Sequence, residues 1–224
     1  MTVLHLADEG EAADLAAFLS RLLHYDRGAA VRLQCAGTTL AVFGRPPSFE
    51  VLAIRSVRLA KPYEIGLDGT LDVTVSAGEL LESVDEAGAT AAVPAAVTGP
   101  PWAGVLPPRG GWRAEPGLPA VATLRALVAA VVAEFRSRTQ ELAPERRTRA
   151  ELDRLGRDIW SRTVGETPLP VRAVHAAQSL GFLRPEGAGD VALLSSGAWL
   201  RLRTAYGSIA VRRTGLGALD VSVR

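Results

Sequence analysis

Residues 94–119 read PAAVTGPPWAGVLPPRGGWRAEPGLP, and this stretch decides how the rest of the chain is divided. Seven of the chain's 14 prolines (Pro94, Pro100, Pro101, Pro107, Pro108, Pro116, Pro119) fall here with five glycines. Proline fixes φ and removes a backbone donor, so neither a helix nor an interior strand runs through such a segment. A free linker is polar and poor in aromatics, yet this one carries Trp102 and Trp112 with Val105 and Leu106 between them. The composition predicts an extended strap over residues 94–118, pinned by the two indoles. It joins a strand-rich α+β half, residues 1–93, to a helical half with a C-terminal β-hairpin, residues 119–224.

On the N-terminal side of the strap, Ser76 with Glu79 three residues later is a helix start that follows a strand over 71–75. Further back, period-two segments over 30–35 and 39–43 read as a hairpin turned at Ala36-Gly37-Thr38, and 49–60 as a long third strand after the Pro46-Pro47 break. Leu15, Phe18, Leu19, Leu22 and Leu23 recur at helical spacing over 10–25, with Asp8 and Glu11 as a capping box. A short strand over 3–6 precedes that helix. The order gives an antiparallel sheet with helices on one face. It resembles a subdomain of a DNA sliding clamp.

On the C-terminal side, Leu124, Leu127, Val128, Val131, Val132 and Phe135 give a helix to about residue 142 its apolar face. A second helix is expected over 145–163, with Leu152, Leu155, Ile159 and Trp160 inward and acid-first pairs such as Asp158 with Arg162 four apart. A third runs from Pro170 to Leu180-Gly181-Phe182-Leu183, where glycine suits the helix end. Strands over 191–194, 199–203 and 208–213 follow, with a tail strand near 219–223. Three helices plus a basic β-hairpin follow the order of a winged helix-turn-helix domain. In that case Arg172, His175 and Gln178 lie on one stripe of the recognition helix, and Arg201, Arg203, Arg212 and Arg213 reach phosphates from the wing. The connection over 164–169 is longer than that motif's tight turn, and helix, glycine, hairpin is also a generic packing unit.

The whole chain is similar to an uncharacterised family of short proteins from high-GC Gram-positive bacteria. The resemblance rests on Pro101-Trp102-Ala103-Gly104-Val105, Gly110-Gly111-Trp112, Leu180-Gly181-Phe182-Leu183 and Trp199-Leu200-Arg201-Leu202. It implies a shared fold and localisation and supplies no active site.

Composition bounds the remaining classes. With 224 residues, 48% hydrophobic and 22% charged, the chain can bury a sizeable core. Its longest apolar run, residues 126–133 between Arg125 and Glu134, falls well short of the roughly 20 residues of a membrane span. The N-terminus has no basic region of a secretory signal, so the cytoplasm is expected. Cys35 is the single cysteine and reads as a small core residue on the hairpin. His5, His24 and His175 have no partner at ligand spacing, and no nucleophile elbow, phosphate loop or dinucleotide fingerprint occurs. No metal and no cofactor is expected, and an enzyme finds no support. Lys61 is the only lysine beside 24 arginines, a bias that fits a high-GC genome. Net charge is +1 overall, yet residues 1–99 hold 7 basic and 13 acidic groups and residues 100–224 hold 18 and 11. Such asymmetry suits a polyanion partner, halves that attract each other, or drift on solvated faces. The sequence therefore predicts an α+β protein of unknown activity, a non-catalytic binding or regulatory module with a protein partner or as a homodimer and no membrane partner. The alternative is a DNA-binding protein using a winged-helix-like C-terminal half.

Overall fold

The computed structural model describes residues 2–61, 71–185 and 191–213; the tail strand expected near 219–223 lies outside them. After β1 (Val3–His5), α1 (Glu9–Tyr25) starts where the Asp8 carboxylate accepts the Glu11 amide hydrogen at 2.8 Å. Its Leu15, Phe18, Leu19 and Leu22 are buried. β2 (Ala30–Ala36) and β3 (Thr39–Gly44) form the hairpin. β4 (Leu52–Arg58) begins three residues later than the hydrophobic run suggests, because Pro47–Phe49 makes a 3-10 turn and Glu50 takes a left-handed conformation at φ 52°. β5 (Asp72–Ser76) runs straight into α2 (Ala77–Glu82), with the Ser76 hydroxyl accepting from the Glu79 amide at 3.3 Å.

Two short strands, β6 (Val84–Asp85) and β7 (Thr90–Ala92), precede the strap. The strap holds a 3-10 turn, Pro101–Gly104, and β8 (Arg113–Glu115). α3 (Val121–Glu141) follows. The second helix expected over 145–163 splits into a 3-10 turn, Pro144–Arg146, and α4 (Arg149–Trp160), because Thr148 caps a new start by accepting from the Glu151 amide. α5 (Val171–Ser179) ends at Gly181, whose φ of +77° lets the Phe182 amide reach back to the Ala177 carbonyl at 2.8 Å. β9 (Ala192–Ser196), β10 (Trp199–Thr204) and β11 (Gly207–Arg212) complete the described chain.

The protein is α+β with antiparallel sheets. A small sheet has the order β1-β7-β6, and a sheet of eight strands has the order β5-β2-β3-β4-β11-β10-β9-β8. Each half supplies a meander, β2-β3-β4 or β9-β10-β11, preceded by strand and helix. The last strands of the two meanders pair in the middle, with Ser208, Ile209 and Ala210 opposite Ile54, Ala53 and Leu52. Alternation then sorts the side chains. Val31, Leu33, Leu40, Val42, Ala53, Val57, Leu200, Leu202, Ile209 and Val211 point to the main core beneath the helices. Phe43, Leu52, Ile54 and Ala210 form a smaller cluster on the opposite face, which Trp102, Leu106 and Trp199 partly cover.

The halves also meet through charge. Asp8, Glu11 and Asp14 recur at i, i+3 and i+6 along α1 and face Arg58 and Arg55 of β4. Arg55 Nη2 donates to Glu11 at 3.0 Å and to Asp14 at 3.2 Å, and its Nη1 donates to the Tyr206 carbonyl at 2.7 Å. Arg58 holds Glu11 at 2.8 Å and Asp8 at 3.0 Å. From the C-terminal half, Arg184 donates to Asp14 at 2.5 Å and lies 4.0 Å above the Tyr206 ring.

Candidate functional site

The strap crosses the whole width of the large sheet on the face away from the helices. At one edge the Val97 amide donates to the Thr74 carbonyl of β5 at 2.9 Å. Trp102 then drops onto the cluster shared by β3, β4 and β11. The Ala103 carbonyl accepts from Arg32, which Asp72 grips at 2.7 and 3.0 Å. The fork–fork contact with Arg32 holds the Asp72 carboxyl below its ordinary value, with Gln34 and Arg109 adding to the effect. At the other edge Ser196 donates to the Gly110 carbonyl at 3.2 Å, β8 pairs with β9, and Glu115 meets Arg213 at 3.0 Å.

Between these anchorages the strap stands off the sheet and leaves a cleft of about 260 Å³. Pro107, Pro108 and Arg109 form its roof; Ala41, Phe43 and Ile54 supply an apolar floor; Gln34, Thr39, Ser56 and Arg201 supply its polar groups. Arg201 is the unusual member. Its Nε is buried without a hydrogen-bond partner, and the guanidinium lies 5.7 Å from the Trp112 ring. Burial, and then the neighbouring Arg203 charge, pull it below the usual arginine range.

The other residues singled out from sequence lie elsewhere. His175 stacks on Trp160 with centroids 4.6 Å apart and meets Phe49 edge-on at 5.0 Å. Arg172 and Gln178 flank it on α5, partly buried, with Arg172 Nε and Gln178 Oε1 lacking partners among the described residues. Arg212 lies 5.4 Å from the Trp199 ring, Arg213 is held by Glu115, and Arg203 is exposed. These seven residues do not form one surface. α5 packs on β11 and α3, and β11 pairs with β4 on its free side, so the hairpin has no free wing. The winged-helix reading is therefore corrected. Trp112 is partly exposed and donates from Nε1 to the Pro108 carbonyl at 3.0 Å. Among the described residues no group of three His, Cys, Asp or Glu could hold a metal ion, and no helix is long and apolar enough to cross a membrane.

Three expected results follow from these placements. Trp102→Ala is expected to cost about 3 kcal/mol, toward the low end for a core indole because the ring is only partly covered. Trp112→Ala is expected to cost about 1 kcal/mol or less. Urea midpoints separate the two. Burial pushes the Cys35 thiol up to about 11, so it should resist thiol reagents at pH 7.5 and react fully once the chain is unfolded. Burial lowers the His175 pKa from its ordinary value. An imidazole harder to protonate when folded contributes stability above about pH 6.5, which is lost as pH falls through the folded value. Thermal midpoints should drop on acidification over that interval, and His175→Phe should remove this component of the drop.

The sheet, with its helices on one side and its connector on the other, gives the chain a fold similar to that of a DNA polymerase sliding clamp. Over 98% of its length it is similar to the crystal structure of a DNA polymerase sliding clamp from Pseudomonas aeruginosa, with a TM-score of 0.50 and 14% identity. The DNA polymerase III subunit beta from the same organism is similar over 93% of the chain, with a TM-score of 0.48 and 13% identity. The chain spans 66% and 64% of the lengths of these two clamp chains, less than two thirds of either. By sequence, residues 1–104 match the family model of a domain of unknown function (DUF8010), and residues 107–216 match that of a second (DUF8185). The two matches meet inside the strap. No curated protein matches the chain. The clamp likeness overturns both functional expectations drawn from sequence, the generic binding or regulatory module and the winged-helix DNA binder. The clamp resemblance read from the N-terminal strands extends over nearly the whole chain.

Proposed function

We propose that the chain acts as a clamp-fold docking protein, which holds a segment of a partner protein in the cleft between strap and sheet. The cleft itself carries the proposal: its floor comes from the N-terminal half, Arg201 of the C-terminal half lines it as well, and its roof is tied down at both edges of the sheet. Within this reading residues 1–93 and 119–224 are the two units and 94–118 is their strap. Holding a DNA duplex against α1 and α2 finds less support, because phosphates need cations there. α1 and α2 instead expose Glu9, Glu79 and Glu82, and residues 1–99 carry a net charge of −6. Cytoplasmic residence and an origin in high-GC Gram-positive bacteria belong to the same proposal, supported by the lone Cys35 and the arginine bias.

Selection of a random-peptide display library on the full chain, repeated on Ala41→Trp, tests the reading. That substitution fills the cleft from its floor and leaves every charge in place. Peptides enriched on the parent should be lost on the variant, whose fold is verified by circular dichroism. Enrichment that ignores the substitution would overturn the proposal.

A further inference from the structure

The unmatched charge in the cleft says what kind of segment it suits. Arg32, Arg55, Arg184 and Arg213 are partly or fully buried, and each meets a carboxylate at 3.2 Å or less. Arg201 is also partly buried, yet no hydrogen bond or ion pair holds it among the described residues. A guanidinium taken out of water without an acceptor costs stability, and a carboxylate is the partner its planar fork fits. Arg203 follows two residues later on the same face of β10, and Arg109 stands on the roof. Beside these cations the floor of Ala41, Phe43 and Ile54 is apolar.

Resting on the docking reading above, we infer that the segment held in the cleft is acidic: a side-chain carboxylate pairs with Arg201 while an adjacent apolar side chain occupies the floor. A nucleic-acid strand fits less well. Its phosphates need cations along a track with open aromatic faces for the bases. Here the rings nearest the cations are already taken: Arg201 and Arg212 lie near those of Trp112 and Trp199.

The test uses the full chain and a fluorescein-labelled octapeptide of alternating aspartate and leucine, read by fluorescence anisotropy at two salt concentrations. Its controls are the same peptide with asparagine for aspartate and a labelled single strand of thymidines. The acidic peptide should bind in a salt-sensitive way, and Arg201→Met should weaken it about 10- to 100-fold, as expected when a charge-assisted pair is lost. Arg201→Met should leave the thermal midpoint unchanged or raise it, because it removes an unpaired, desolvated charge. Arg109→Ala, on the exposed roof, should weaken the acidic peptide several-fold and gives a readout independent of the folding of the other variant. Equal affinity for the aspartate and asparagine peptides would overturn the acidic inference and leave the docking reading standing. Binding of the thymidine strand in place of either peptide would overturn both. A lower midpoint for Arg201→Met, with acidic-peptide binding unchanged in Arg109→Ala, would make these arginines structural and also overturn the inference.

Discussion

Arg55→Ala is expected to lower the free energy of unfolding by about 3–5 kcal/mol, the range for breaking a buried ion pair from one side. The side chains of Arg55 and Glu11 are 7% and 11% exposed, and Arg55 also satisfies Asp14 and the Tyr206 carbonyl. Its loss leaves Glu11 to Arg58, whose side chain is 69% exposed, and leaves the carbonyl without its donor. Replacing both buried partners, Arg55→Met with Glu11→Gln, should recover part of the loss, since removing a charge pair together avoids an orphaned ion. Urea denaturation of parent, single and double variants gives the comparison. A single variant that melts within 1 kcal/mol of the parent would show that water reaches Glu11.

Phe182→Ala should cost a similar amount, about 3–5 kcal/mol. Phe182 is 3% exposed and stacks on Phe18 of α1 with centroids 5.7 Å apart, so one ring from the C-terminal half is seated in the N-terminal core. The same ring presses on Gly207, where an added Cβ would stand 2.5 Å from Phe182 Cζ. Gly207→Ala is therefore expected to overpack the site by about 1–3 kcal/mol. In the Phe182→Ala background the packing part of that penalty should vanish, because the clash and the cavity share the same space, and the cost of a side chain at the Gly207 φ of +157° should remain. A double-mutant cycle that gives simple addition would show that Gly207 is needed for its backbone alone.

Features governed by neighbours in sequence were legible before the fold was known. Asp8 and Ser76 cap helices, Gly181 closes one, and the period-two segments over 30–35 and 39–43 pair as the hairpin expected of them. What depended on distant partners was not. The hairpin of β10 and β11 read as a free wing because the strand that completes it, β4, lies some 150 residues upstream. β6, β7 and β8 are two or three residues long and leave no period to detect. Asp158 and Arg162, four apart on one turn, were anticipated as a pair and stand 3.3 Å apart. The stronger grip of Arg162 on Glu134 of α3, at 2.7 and 2.9 Å, was not anticipated. The cleft was half visible: Arg201 was picked out as a basic side chain seeking an anion. That Pro107 and Pro108 would roof it required knowing which face the strap crosses.

The route of the strap sets how the two halves are tethered. Between Val97 at one edge and Arg113 at the other, the chain can reach about 55 Å when extended, while the sheet beneath is about 34 Å wide at the usual strand spacing. The strap is longer than that span, so the ladder between β4 and β11 bears the join, and the strap adds the seat of Trp102 and the pairing of β8 to the covalent link. Cutting it would turn an internal pairing into one between two fragments and forfeit an effective concentration on the order of millimolar. Lengthening it would cost little, since each doubling of such a loop adds only about 0.6 kcal/mol of closure entropy. The roof of the cleft can thus change in length and sequence while the joined halves keep their stability.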